Sequence, residues 1–318
     1  MRIVILDDYQ RVATSMADWS VLPGAEITVL DRHIAERQAL IDALCGAEVV
    51  VAMRERTPFP ADLLAALPDL RLLVTTGMVN RSIDMQAARA RGITVCGTPG
   101  SGYGASELAF GLVLALARGI PQETLRFRAA DPRWQTAVGM DLGGRTMGIV
   151  GFGRLGREMA RYARAFRMDV LAWSRSLTDD MAAEHGITRA ATLDALLEQA
   201  DVVSLHLPLT PETTGLVDAR ALGLMKPGAL LVNTARGPLV DEAALIAALA
   251  SGHLGGAGLD VFETEPLPAD HPLRRLPNVV ATPHIGYVTR ATYQTFFTGA
   301  VEAIAAWTAG QPVRVLNT

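Results

Sequence analysis

Short runs of β-branched and aliphatic residues alternate along the chain with segments whose apolar positions recur every three or four residues. In the first hundred positions the runs are Arg2–Leu6, Glu26–Leu30, Glu48–Ala52, Arg71–Val74 and Thr94–Cys96. Between them Leu40, Ile41 and Leu44, then Leu63, Leu64 and Leu67, keep helical spacing. Such alternation predicts βα units and a parallel sheet covered on both faces. Residues 97–104 (GTPGSGYG) form a turn-rich break suited to a hinge. A helix follows from about Ala105 to Arg118, apolar all round and therefore expected to be deeply buried. Ala129 to Gly144, with Asp131-Pro132 and Gly143-Gly144, predicts an extended connection. A second series then runs through Met147–Val150, Asp169–Trp173, Asp201–Leu205, Ala229–Val232, Ala257–Leu259 and Val279–Ala281. Phe296, Phe297, Val301, Ile304 and Ala305 place a last helix over Ala291–Ala309. One sheet unit at the start, another in the middle and a helix at the end predict two lobes, the second inserted into the first.

Composition narrows the class. Half of the 318 residues are hydrophobic and 19% are charged, which is too apolar for a disordered chain. A formal net charge of -4 argues against a general nucleic-acid binder. The longest apolar stretch, Leu108–Ala117, is half the roughly 20 residues of a membrane span. The chain enters its first strand almost at once, so no signal peptide and a cytoplasmic location are expected. Cys45 and Cys96 are too few for a disulfide framework, and His33, His185, His206, His253 and His271 show no metal-binding spacing. No metal is therefore expected.

Gly151-Phe152-Gly153-Arg154-Leu155-Gly156 matches G-x-G-x-x-G, between a strand ending at Val150 and a helical pattern through Met159, Ala160, Ala163 and Phe166. In that setting Gly151 serves a tight turn, Gly153 a close backbone approach to a pyrophosphate, and Gly156 close packing of helix on strand. A plain strand–turn–helix is the bland alternative. An acid about 20 residues further on would select NAD. Instead the next strand ends in Ser174-Arg175-Ser176, with Ser174 18 residues beyond Gly156. A guanidinium flanked by hydroxyls suits a 2′-phosphate, so NADP is favoured over NAD, although Arg175 stacking on the adenine of NAD is the alternative.

Three later segments follow buried strands in the same sense: Val232–Gly237 carries Arg236, Asp260–Pro266 carries Glu265, and Thr282–Gly286 carries His284. Ligands of open α/β sheets bind at the carboxyl ends of strands. Arg236 would hold a carboxylate or polarise a carbonyl, His284 would carry a proton, and Glu265 would favour the imidazolium. Taken singly, a solvated arginine, a turn glutamate and a structural histidine are the ordinary explanations.

The chain resembles the D-isomer-specific 2-hydroxyacid dehydrogenase family across nearly its whole length. The resemblance rests on Gly148-Ile-Val-Gly-Phe-Gly-Arg-Leu-Gly156, His206-Leu-Pro-Leu-Thr-Pro-Glu-Thr-Thr-Gly215, Val232-Asn-Thr-Ala-Arg-Gly237, Leu259-Asp-Val-Phe-Glu-Thr-Glu-Pro266 and Thr282-Pro-His-Ile-Gly286. It implies an α/β fold of two doubly wound parallel-sheet lobes. A Rossmann cofactor domain (residues 99–286) would be inserted into a flavodoxin-like substrate domain (1–98 and 287–318). It implies Arg236 as the substrate-orienting arginine, Glu265 as the partner of the histidine and His284 as the acid/base. Cofactor contacts carry over to Arg154, Leu155, Ser174, Arg175, Pro208, Thr213, Ala235, Asp260 and His284. The substrate carboxylate would sit on amides of the loop Thr76–Asn80, where Gly77, Met78 and Val79 lie. Val79 stands where a second glycine is common. Arg54, just past a strand end, is a second anion anchor or a solvated cation. Tyr287 replaces a small residue and would wall the pocket.

The activity implied is interconversion of a 2-oxo acid and a D-2-hydroxy acid with NADP or NAD. Glyoxylate, hydroxypyruvate or a bulkier acid are all open as substrates. A homodimer through an arm at about Ile120–Arg145 is implied as well. The alternative is a dinucleotide-sensing interaction protein on the same fold.

Overall fold

The computed structural model describes residues 1–100 and 102–318; Ser101, inside the predicted hinge, lies outside the described residues. The chain divides into two compact units, Met1–Ser101 with Val288–Thr318, and Gly102–Tyr287.

The first unit is built on β1 (Arg2–Ile5), β2 (Glu26–Val29), β3 (Val49–Ala52), β4 (Leu72–Thr75) and β5 (Thr94–Gly97). They form a parallel sheet in the order β2-β1-β3-β4-β5, with Ile3 beside Ile27 and Val49, and Val49 beside Leu72. This is the doubly wound order whose switch point lies between β1 and β3. The helices α1 (Ala13–Met16), α2 (Arg37–Leu44), α3 (Ala61–Ala65) and α4 (Met85–Ala90) connect the strands. Val50, Leu73 and Val95 bury one face of the sheet against Leu40, Leu63 and Leu64. Strands buried on both faces lack polar alternation, which is why β3 reads as an unbroken VVVA.

The second unit begins with α5 (Gly104–Ala117) and α6 (Ile120–Arg128). Only one side of α5 is fully buried, through Ala109, Phe110, Leu112, Val113 and Ala117, while Leu108, Leu114 and Leu116 are partly exposed. The all-round burial expected of it is therefore corrected: its apolar surface exceeds what its own unit covers. No residue of α6 is buried. The sheet comprises β6 (Thr146–Val150), β7 (Asp169–Trp173), β8 (Thr188–Arg189), β9 (Val202–Leu205), β10 (Leu230–Asn233), β11 (Gly256–Leu259) and β12 (Val279–Ala281). All are parallel, in the order β12-β11-β10-β9-β6-β7-β8. The crossovers carry α7 (Arg154–Ala165), α8 (Asp179–Glu184), α9 (Leu193–Gln199), α10 (Ala219–Leu224) and α11 (Glu242–Ala250). The order reverses between β6 and β9, so the crevice beyond their carboxyl ends is this sheet's ligand position.

The last helix, α12 (Arg290–Thr308), returns to the first unit and buries Tyr293, Phe296, Phe297, Val301 and Ile304. Thr289 caps it, its Oγ1 accepting the Thr292 N–H at 3.2 Å. Both units are α/β, as the alternating pattern predicts. The strand β8, two residues long, and the helix α6, none of whose residues is buried, fall outside the elements predicted from the sequence.

Candidate active site

The turn from β6 into α7 occupies the switch point. Gly151 has φ 98°, and a Cβ there would come within 2.7 Å of the His206 carbonyl. A Cβ on Gly156 would lie 2.1 Å from the Gly151 oxygen, so only glycine lets α7 sit this close to the loop. Gly153 caps α7 without a side-chain hydrogen bond, and the space before its Cα is open. Unpaired first-turn amides facing an open cradle fit the pyrophosphate of a dinucleotide. Arg154 opens the helix and donates to the Gly102 carbonyl, while Leu155 is half-buried.

Two loops flank this cradle. After β7, Ser174 is half-buried and Arg175 exposed; Ser174 Oγ accepts the Ser176 N–H at 3.4 Å. After β9, Pro208 is exposed, and its carbonyl accepts from the buried Thr213 hydroxyl at 2.8 Å. Thr213 thus braces the loop. Between them His206 lies 2.9 Å through Nε2 from Ser204 Oγ, and burial lowers its pKa to about 4.

Arg236, Glu265 and His284 follow β10, β11 and β12, neighbours in the sheet. Asn233 shapes the first turn: its Nδ2 donates to the Arg236 carbonyl at 2.8 Å and its Oδ1 accepts the Ala235 N–H at 3.0 Å. The Arg236 guanidinium donates to the Ala235 carbonyl at 2.7 Å. Glu265 accepts the Phe262 N–H at 3.0 Å on Oε1, and its Oε2 lies 2.6 Å from His284 Nδ1. Burial pushes the Glu265 carboxyl up. The hydrogen bond and charge of His284, the Phe262 amide and the charge of Arg236 outweigh that and hold it below the usual carboxylate range. The three groups are thus electrostatically one cluster.

His284 is left-handed, φ 53°, a conformation that costs a non-glycine residue on the order of 1 kcal/mol. Asp260 holds it there. Its carboxylate, 0% exposed, accepts from Thr282 Oγ1 at 2.6 Å and from the Ile285 and Gly286 amides at 2.8 Å each. Burial raises the Asp260 pKa, partly offset by those three donors and by His284. Asp260, a cofactor contact by resemblance, is in this structure also the clasp of the histidine turn. An aspartate directly after a buried strand was the only sequence sign of that job. The ring of Tyr287 meets that of His284 at 5.5 Å and 79°.

In the first unit Arg54 and the loop after β4 are likewise brought together. The Arg54 amide donates to Thr76 Oγ1 at 2.8 Å and its Nη1 donates to the Thr76 carbonyl at 3.1 Å. Gly77, φ 92°, lies beneath that guanidinium, where a Cβ would come within 1.9 Å of Nη1. Its N–H donates to Thr98 Oγ1 at 2.8 Å. Gly77 therefore does not present its amide to an anion as expected, because the neighbouring strand end takes it. Met78 and Val79 are 47% and 61% exposed. Arg54 braces this loop instead of standing free in solvent. Among the described residues no group of three His, Cys, Asp or Glu side chains is placed to hold a metal ion.

Residues 110–286 match the family model described as "D-isomer specific 2-hydroxyacid dehydrogenase, NAD binding domain". A D-3-phosphoglycerate dehydrogenase from Mycobacterium tuberculosis is 40% identical over 277 residues, covering 87% of this chain and 52% of that protein. An (S)-sulfolactate dehydrogenase from Chromohalobacter salexigens is 42% identical over 257 residues, covering 80% of this chain and 83% of the relative. The crystal structure of a phosphoglycerate oxidoreductase from Vibrio cholerae superposes with a TM-score of 0.92 at 37% identity, covering 98% of this chain and 99% of that one. The chain belongs to the D-isomer-specific 2-hydroxyacid dehydrogenase family. It spans about half the length of the mycobacterial relatives it matches.

Proposed function

We propose that the protein is a nicotinamide-dinucleotide-dependent oxidoreductase that interconverts a 2-oxo acid and a D-2-hydroxy acid. The carrying observation is the 2.6 Å contact between His284 Nδ1 and Glu265 Oε2, with the Arg236 charge acting on the same carboxylate. With Nδ1 engaged, Nε2 is the nitrogen of His284 that gives a proton to the substrate oxygen on reduction and takes it back on oxidation. Arg236 orients the substrate through charge-assisted bonds to its carboxylate and carbonyl. Glu265, kept ionised, holds the imidazole's direction and balances its charge in the protonated form. Gly151, Gly153, Gly156 and the first amides of α7 would hold the pyrophosphate, with Arg154, Leu155, Pro208, Thr213 and Ala235 around it. The dinucleotide, when bound, supplies or accepts the hydride. Within the first unit, taken by itself, Arg54 with the amides of Met78 and Val79 is a candidate anion contact.

A screen of glyoxylate, hydroxypyruvate, 3-phosphohydroxypyruvate and sulfopyruvate, followed by loss of reduced-nicotinamide absorbance, tests the reading. Dinucleotide binding with no oxidation across that panel would overturn it. Since no carboxylate follows β7 directly, Ser174 and Arg175 favour NADP over NAD. Ser174→Asp is expected to shift the ratio of kcat/KM values toward NAD by about tenfold or more, through repulsion of the 2′-phosphate and a new acceptor for ribose hydroxyls. An unchanged ratio would remove the case for NADP.

The arm is also the natural contact for a second copy of the chain. Ile120, Leu125, Phe127, Trp134 and Val138 are 51%, 68%, 72%, 79% and 101% exposed, an apolar strip in which the Phe127 and Trp134 rings meet edge to face. Light scattering is expected to give twice the 33.9 kDa chain mass. A monomer at micromolar concentration would contradict the homodimer.

A further inference from the structure

Hydrogen bonds hold His284 at its backbone turn and at Nδ1. Its backbone is pinned by the Asp260 clasp, which fixes the position of Cβ, and Nδ1 is fixed by Glu265 Oε2 at 2.6 Å. With its backbone held, the ring still turns through χ1 and χ2; the single hydrogen bond at Nδ1 restrains one combination of the two, and the remaining turn swings Nε2, the atom through which the proton moves. The side chain is 27% exposed, so protein does not enclose the ring on every side. The one ring that meets it in this unit is Tyr287, at 5.5 Å between centroids and 79° between planes. Tyr287 leaves the chain directly after Gly286, whose amide is itself bound to Asp260 at 2.8 Å, so the tyrosine stands on a pinned peptide.

We propose that Tyr287 is a positioning residue for the proton transfer: its ring, set across the imidazole, fixes the plane of His284 and hence the aim of Nε2. The inference rests on the acid/base role proposed for His284. It assigns the effect to the aromatic ring and not to the phenolic hydroxyl. A general acid must come within roughly 2.6–3.2 Å of the atom it protonates, and a displacement of about 1 Å can cost on the order of a hundredfold. Partial freedom of the ring should therefore cost less than deletion of the histidine and should fall on turnover, since Arg236 holds the substrate.

Wild type, Tyr287→Phe, Tyr287→Leu and Tyr287→Ala distinguish this from a mere pocket wall. With saturating reduced cofactor and a small 2-oxo acid, Tyr287→Ala and Tyr287→Leu are expected to lower kcat about tenfold with KM moved by less than about threefold. Tyr287→Phe is expected to stay within about twofold of wild type. A second reading needs neither substrate nor cofactor: the Cε1–H resonance of His284 in protein labelled at histidine. It should shift and broaden in the alanine and leucine variants and keep its wild-type position and width in the phenylalanine variant, the thermal midpoint serving as the check on folding. An unmoved resonance in a folded alanine variant overturns the inference, as does a loss confined to KM. A phenylalanine variant as impaired as alanine also overturns it, by transferring the effect to the hydroxyl. If wild type turns over no 2-oxo acid, the proposed function fails on its own and the resonance alone decides the placement of the ring.

Discussion

His284→Ala is expected to lower turnover by at least about a hundredfold, the usual scale of general acid–base catalysis. The geometry makes the loss specific. Nδ1 is engaged by Glu265 Oε2 at 2.6 Å, so nothing else in the cluster carries a transferable proton at neutral pH: Arg236 stays charged and Glu265 is held ionised. Binding of the dinucleotide should fall far less than turnover, because the cradle at Gly151–Gly156 lies after β6 and the histidine, one cofactor contact among several by resemblance, after β12. Stopped-flow measurement of the hydride step, with cofactor affinity from fluorescence titration, separates the two effects. Full turnover in the variant would remove His284 from the mechanism, and loss of cofactor affinity with unchanged chemistry would move it to binding.

The second large effect is on stability in acid. Burial lowers the His206 pKa from 6.5 to about 4 in the folded protein. Below pH 6.5 the unfolded chain binds a proton that the folded one does not, so stability falls as pH drops from about 6.5 to about 4 and is full above that window. At 1.36 kcal/mol per unit the shift corresponds to at most about 3 kcal/mol, less where water reaches the ring. Because other groups titrate in the same range, the test is the difference between wild type and His206→Asn. The variant should lose less unfolding free energy between pH 7 and pH 4.5 than wild type does. Parallel losses would show that His206 is charged in the folded state. The position matters to the site: the His206 carbonyl lies against Gly151, so acid strain there falls on the dinucleotide cradle.

Much of this was legible in the sequence. Alternation of buried runs with helical spacing determined the α/β class and parallel sheets, since a chain that buries strands on both faces has few other ways to fold. The spacing of Gly151, Gly153 and Gly156 between a strand and a helix determined a loop where a Cβ at Gly151 or Gly156 would strike backbone while Gly153 stays open, and the five motifs determined the family. The arm at about Ile120–Arg145 was named as a contact region from resemblance, and none of the residues of its helix α6 enters its own unit's core.

Tertiary structure alone decided what those residues touch. Asp260 lies 24 positions before His284 and holds its turn, and Glu265 meets the imidazole only because β11 and β12 are neighbours in the sheet. Gly77 gives its amide to Thr98 across two adjacent strand ends, which no local pattern records. Periodicity reports whether a position faces water or core, a property of the residue and its near neighbours in sequence. A hydrogen bond or a depressed carboxyl belongs to a pair brought together from distant positions, and that pairing exists only once the strands have been laid side by side.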